Sequence, residues 1–422
     1  MGPTLLALAI ILLPIALLPI ACSYESPEAD STAWQGTITT EDGVTTVVNE
    51  SGSVWGGTAR LIEEASIGVA EGEAAYMLGG VGGIAAFGPH IFVLDMQVPI
   101  IRVYGESGVH VRDIGARGQG PGEFERPAEM ALGPDGRLYV KDGNRVTVFS
   151  PEGDYLESWV DAVMTISLLD FPCVVTDEGQ FYAPKFSSLL SPIWEMSMVP
   201  AGPGPAGRGP ISPPALDYTP QRLPDPYPGG EGIPVPFGAE ILWAMSTAGR
   251  MVAGASNQYR FLVVDAEQTL VVHKFWDPVP VQPEEAQWHE QDLTARMRRH
   301  VPGWIWDGPG IPSVKPAYEK LLPDRSGRIW VLGAGRGFLS ESCRGLRASR
   351  LALSGDDACW DESYLLDVFG EDGRYLGQVL PPAGLQWSPQ PFIEGSFFVG
   401  AVEDEAGTIM VKRYRLVLPG EE

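Results

Sequence analysis

GARGQGPGEFERPAEMALGPDGRLYVKDGNRVTVF, residues 115–149, decides the fold. Within it, Met130 to Leu132 is a short apolar run. Gly133-Pro134-Asp135-Gly136 follows, a turn cluster with Asp-Gly at its tip, which favours a tight hairpin. In the next five residues Leu138 and Val140 fall on one side, and Arg137, Tyr139 and Lys141 on the other. That is the period of a half-buried strand. Asp142-Gly143-Asn144 is a second turn. Val146 and Val148 alternate again, and Phe149 closes the strand. Pro151-Glu152-Gly153-Asp154 is a third turn, and Tyr155 to Trp159 a fourth strand. Four short antiparallel strands in about 30 residues make one unit of a repeating all-β architecture.

The lead-in to this unit, Gly118-Gln119-Gly120-Pro121-Gly122-Glu123-Phe124 and then Pro127, resembles the spacer between blades in NHL-type propellers. PDGRLYV, Asp142, Asn144 and RVTVF follow at the usual distance. The glycines let the backbone cross a tight corner, and Phe124 can wedge between neighbouring sheets. The likeness runs over residues 80–160 and loosens elsewhere. It implies a six-bladed β-propeller of the NHL/TolB-like kind found in bacterial envelopes. Such families span scaffolds, lyases and lactonases, so the resemblance carries fold rather than activity.

The hairpin turn between the first two strands of a blade can be followed along the chain. It reads Ala86-Phe87-Gly88-Pro89 before HIFVLD, Pro134-Asp135-Gly136 before RLYVKD, and Asp177-Glu178-Gly179 before QFYAPK. It recurs as Thr247-Ala248-Gly249, Asp324-Arg325-Ser326-Gly327 and Asp404-Glu405-Ala406-Gly407. Six turns predict six blades, each of four antiparallel strands. Between successive turn glycines the spacings are 48, 43, 70, 78 and 80 residues. The last three therefore hold insertions. These fall at 185–192, within blade three, at 200–237, between blades three and four, and at 281–301, between blades four and five. The fourth, at 334–361, lies within blade five. Pro283-Glu284-Glu285 followed by Arg296, Arg298, Arg299 and His300 predicts one short helix in the third of them. In a four-stranded up-down blade, all four insertions leave from one rim. Elaboration of one face commonly marks a binding face. The plainer reading is a cap that covers the central channel and holds no ligand.

Trp34 to Asn49 alternates around a turn at Glu41-Asp42-Gly43. A strand in this span is expected to complete the C-terminal blade, since ring closure removes exposed sheet edges. The propeller is expected to occupy 33–420. Ahead of it, residues 1–21 are apolar, with Pro14 and Pro19 inside, and Cys22 follows directly. This resembles a bacterial lipoprotein signal, with Cys22 as the lipidated residue and 23–32 as a flexible leash. A plain cleaved signal and an uncleaved anchor are the rival readings, though the two prolines disfavour a spanning helix. In all three the bulk of the protein leaves the cytoplasm, for the periplasmic or extracellular side of the cell envelope.

The chain has 422 residues and a formal net charge of −25, from 54 acids against 29 bases. That charge opposes nucleic acid and anionic lipid as partners and suits solubility outside the cell. Of four cysteines, Cys343 and Cys359 flank a loop, and in an exported protein the spacing suggests a disulfide staple. Cys173, in FPCVV, reads as a buried thiol. Histidines 90, 110, 273, 289 and 300 are scattered, and no Cys/His set has zinc spacing. No D-x-D-x-D calcium pattern, G-x-S-x-G elbow or H-E-x-x-H motif is present. The glycine strings at 79–83 and 118–122 lack the Lys-Ser/Thr ending of a phosphate loop.

These observations predict a non-catalytic, exported and lipid-anchored propeller that binds a protein, peptide or glycan of the envelope. No catalytic residue, metal ligand or cofactor is assigned. The alternative is a metal-dependent hydrolase or lyase at the mouth of the channel. Asp95, Asp142 and Asn257, near the ends of second strands, are the candidates for that rim. Asp95 and Asp142 can equally satisfy turn backbone groups. Trp288, Trp304, Trp306 and Trp360 lie in or beside the insertions, where they can stack on a ligand or pack the cap.

Overall fold

A computed structural model describes residues 32–160, 171–186, 196–202, 209–226, 232–340 and 359–421. They form an all-β protein with one α-helix among them, and six strand groups follow one another along the chain. Blade one is Val81–Phe87, His90–Asp95, Ile100–Gly105 and His110–Ile114. Blade two is Pro127–Leu132, Leu138–Asp142, Arg145–Phe149 and Tyr155–Val160. Blade three has Val174–Val175, Phe181–Phe186 and Met196–Pro200. Among the described residues it has these three strands, with one Met198–Ile211 bridge where a fourth strand was expected. Blade four is Ile241–Met245, Met251–Ala255, Arg260–Val264 and Thr269–Lys274. Blade five is Lys320–Pro323, Ile329–Ser340, Cys359–Phe369 and Tyr375–Leu380. Blade six is Phe392–Glu394, Phe397–Glu403, Ile409–Val417 and, from the other end of the chain, Ala59–Ile67.

The core lies between neighbouring blades. Phe92, Ile101, Leu138 and Val399 share one apolar cluster that joins blades six, one and two. Val148 and Phe181 join two to three, and Tyr182 and Trp243 join three to four. Val252 and Val331 join four to five, and Trp330 and Phe398 join five to six. Every blade is thus sandwiched on both faces, which is why strands such as HIFVLD are buried at nearly every position rather than at alternate ones. Phe124 is fully buried, edge-on to Phe149, as its place in the spacer predicts.

One contact repeats around the ring. The turn between the third and fourth strands folds over the outer strand of the preceding blade. Gly153, at φ +101°, sits where a Cβ would lie 2.8 Å from Ile114 Cγ1. Gly373, at φ +80°, sits likewise against Val272 and Val47. Only glycine supplies both the positive φ and the close approach.

The N-terminal part is a strap across three blades. Gln35–Glu41 and Val44–Ser51 form a hairpin, and its second strand runs parallel to Thr269–Lys274, the outer strand of blade four. Asn49 fastens it. Its Oδ1 accepts from Trp34 Nε1 and from the Tyr375 backbone, each at 2.7 Å, and its Nδ2 donates to the His273 and Gly373 carbonyls. The chain then runs beside blade five, where Val54 and Trp55 donate to the Tyr375 and Leu376 carbonyls. Ala59–Ile67 finally pairs antiparallel with Ile409–Val417.

Two expectations are corrected. Residues 34–49 do not close the ring: they widen blade four, and Ala59–Ile67 does the closing. Its adjacent acids break the alternation that would have marked it, but they pair with bases on the partner strand, Glu63 with Lys412 and Glu64 with Arg413 and Arg415. The turn at Asp404 to Gly407 connects the second and third strands of blade six, not the first and second. The first–second connection is Gly395-Ser396. Five of the six tracked turns therefore share a rim, and the sixth lies on the opposite one.

Candidate functional site: a cap on one rim

Three of the expected insertions meet on the rim that carries the second–third and blade-to-blade connections. The segment before blade four holds a small antiparallel pair, Arg222–Leu223 with Ile233–Pro234. The segment before blade five holds helix α1, Pro283–His300. Within blade five, the second and third strands outrun their neighbours. Residues 337–340 pair with 359–362 after an irregularity at Ala334/Gly337, whereas the flanking strands pair only up to Leu332 and from Leu366. A two-stranded ribbon thus projects past the blade. The fourth insertion, at 185–192, falls almost wholly outside the described residues.

Helix α1 begins where the sequence dictates. Pro283 opens it, Glu284 and Glu285 lie in its first turn, and Arg298, Arg299 and His300 end it. Gln282 caps it, and the Glu285 carboxylate accepts back from the Gln282 backbone N–H at 3.2 Å. Its inner face joins a separate apolar core. Leu293 and Trp304 are buried there with Leu223 and Val235, and Ile233, Met297 and Trp306 pack around them. Arg298 Nε donates to the Trp304 carbonyl at 2.9 Å, and Trp306 Nε1 to that of Pro309 at 2.9 Å. The Arg222 guanidinium grips the Glu240 carboxylate with two nitrogens.

A buried ionic clasp ties helix to ribbon. Lys315 is 1 % exposed, and its Nζ lies 2.8 Å from Glu285 Oε1 of α1 and 2.6 Å from Glu362 Oε2 of the ribbon. Glu285 and Glu362 are themselves 1 % and 8 % exposed. The ammonium also sits 5.0 Å from the Phe237 ring centroid, a cation–π distance. Gln282 Nε2 donates to the Gly337 carbonyl at 2.6 Å. Gly337 is required beside the clasp, since a Cβ there would stand 2.2 Å from Glu285 Oε1. A buried lysine between two carboxylates is tolerable only because both charges face it at hydrogen-bonding distance. Sequence reading missed all three residues. A lone lysine in PSVKPAYE carries no signal of burial.

The sequence-predicted residues scatter. Asp95 is buried in blade one: Oδ1 accepts from the Gln97 and Val98 backbones, and Oδ2 faces Arg102 at 3.3 Å. Asp142 in blade two accepts from the Glu125 and Arg126 backbones and from Arg145 Nη2 at 2.9 Å. Both hold turns and spacers in place. Asn257 is exposed in a loop of blade four. The three sit on different blades. Among the described residues, no three His, Cys, Asp or Glu side chains lie together as a metal cage. Trp304 is buried in the cap core, while Trp288, Trp306 and Trp360 are half-buried. Trp360 faces Leu339 across the ribbon. Cys173 is buried. Cys22 and Cys343 lie outside the described residues. No helix among those residues is long and apolar enough to cross a membrane.

A second polar cluster lies between blades four and five. Asp367 accepts from Tyr259 Oη at 2.5 Å, Lys274 Nζ at 2.9 Å and Tyr375 Oη at 2.8 Å. Burial, and then the Asp367 charge, push both tyrosine pKa values well above 10. These phenols stay protonated donors, which suits a fixed structural network.

A family model described as a six-bladed β-propeller, DUF5128, matches residues 71–189. No curated protein sequence matches the chain significantly. Among solved structures, a member of the DUF4221 family from Bacteroides vulgatus aligns with TM-score 0.51 at 10 % identity, covering 86 % of this chain and 99 % of that one. A putative exported protein from Bacteroides fragilis aligns with TM-score 0.42 at 9 % identity over 85 % of this chain and 94 % of its own. The chain is similar to six-bladed β-propellers, and the likeness extends to the fold alone.

Proposed function

We propose that this is an exported, lipid-tethered and non-catalytic propeller whose capped rim binds a protein, peptide or glycan of the cell envelope. The observation that supports it is the joining of three separate insertions into one body with its own apolar core and buried clasp. A chain that only needed to close its channel could do so with short loops. Here ordered chain from three places is held rigidly against the blades, which lowers the ordering entropy a binding surface must give up. The tether through Cys22 and the Cys343–Cys359 staple belong to the same reading, since both suit an oxidising envelope.

Capture from detergent-solubilised envelope tests it. The intact protein and its Lys315→Met variant, in which helix and ribbon lose their shared cation, are each immobilised. A partner retained by the first and lost by the second is expected. Equal retention by both would place the interaction away from the cap.

A further inference from the structure

Buried methionine is confined to one interface between blades. The cluster that joins blades three and four has seven buried members, and four of them are Met196, Met198, Met245 and Met251. The buried members of the other five clusters include no methionine. Valine, isoleucine, leucine and phenylalanine do the same packing there, so closing a blade interface in this fold does not require thioethers.

The register brings the four together. Met196 and Met198 are two residues apart on one strand of blade three, so both point to the same side. Met245 and Met251 stand directly opposite each other across the first hairpin of blade four, which puts their Cβ atoms about 5 Å apart. The four are 1 %, 1 %, 6 % and 2 % exposed. Trp243 shares their cluster, and the Phe171 ring lies 4.8 Å from its own. Thioethers are soft, neutral donors that select copper(I) over the hard, oxygen-seeking ions. The neighbouring rings attract a cation held out of water.

We propose that Met196, Met198, Met245 and Met251 form a binding site for a soft monovalent cation, copper(I), between blades three and four. Among the described residues, Met196–Pro200 is the last strand of blade three, and only the Met198–Ile211 bridge lies beyond it. Two backbone hydrogen bonds of 2.8 Å hold that bridge. Opening it gives a cation a way in without unpairing the strands of either blade. The site is independent of the capped rim, and neither reading needs the other.

The test uses the full chain and silver(I), an air-stable soft cation, counted by native mass spectrometry in ammonium acetate. Two variants each remove half of the donors: Met196→Leu with Met198→Leu, and Met245→Leu with Met251→Leu. Leucine conserves the volume of methionine, so both should fold, and urea midpoints check this. The parent is expected to hold one silver ion more than either variant, and each variant to bind that ion at least about tenfold more weakly. Met77→Leu with Met96→Leu, outside the cluster, should change nothing, and zinc uptake should be alike in all four proteins. Should a double variant unfold, Met198→Leu alone is read in the same way. Equal silver uptake by the parent and the cluster variants would assign the metal to cysteines or scattered methionines, and would overturn the proposal. So would no uptake, an equal loss in the Met77/Met96 variant, or zinc bound by the parent and lost with the cluster.

Discussion

Replacing Lys315 by methionine removes the cation shared by two buried carboxylates. Breaking a buried ion pair by deleting one partner typically costs about 3–5 kcal/mol. Here the high end applies, because Lys315 serves Glu285 at 2.8 Å and Glu362 at 2.6 Å, and both are nearly solvent-free. With an unfolding entropy of about 2.1 cal/mol/K per residue over roughly 390 residues, that loss lowers the melting temperature by about 6 °C. The companion variant replaces Lys315 with methionine and Glu285 and Glu362 with leucine together. It removes the desolvation penalty along with the attraction, so it should lose much less, within about 2 kcal/mol of the parent. Calorimetry and urea titration give the two numbers. Tryptophan fluorescence reports the cap, since Trp304 is buried in its core and Trp288 packs on His289 beside it. A loss below about 1 kcal/mol for Lys315→Met would refute a buried clasp. Equal losses for the single and triple variants would show that packing, not charge, holds helix to ribbon.

Other consequences follow from the ring. Gly153→Ala must force a positive φ and press on Ile114, and should cost about 2–3 kcal/mol, whereas Gly143→Ala, at φ +62° with no atom near, should cost about 1 kcal/mol; urea midpoints compare them. A chain starting at residue 58 keeps the closing strand but bares the outer strands of blades four and five, and should aggregate at concentrations where the full chain is monomeric by light scattering. Tyr104, Tyr259, Tyr318 and Tyr375 have folded pKa values raised above 10, chiefly by burial. The unfolded chain then releases those protons near pH 10 while the folded one keeps them, so stability is full below pH 10 and falls as pH rises above it; denaturation at pH 9 and pH 11 checks the sign. Mass spectrometry of an unreduced digest should find Cys343 joined to Cys359, and Cys22→Ala should move the protein from the membrane to the soluble fraction.

Much of the ring was legible in the sequence because turn chemistry is local. Gly88, Gly136, Gly179, Gly249 and Gly327 each follow an inner strand, and each marks the same rim. The helix was legible for the same reason, through Pro283 and the charges at its two ends. Asp404 to Gly407 misled because a hairpin between second and third strands uses the same residues as one between first and second. Composition does not record which strand comes before. Ala59–Ile67 was illegible because its solvent face carries Glu63 and Glu64, and only the distant Lys412 and Arg415 make sense of them. The cap was half legible. The insertions could be placed, but Lys315, Glu285 and Glu362 are 30 to 77 residues apart, and nothing local says that they share one buried site.

The central claim is that the capped rim, and not the opposite one, meets the partner. A photo-crosslinking residue installed at Leu339 on the ribbon, and another at Phe87 on the opposite rim, tests it in intact cells. Both side chains are exposed, so either position accepts the probe. Adducts with one envelope protein from position 339 and none from 87 are predicted. Adducts from position 87 alone, or equally from both, would contradict the account.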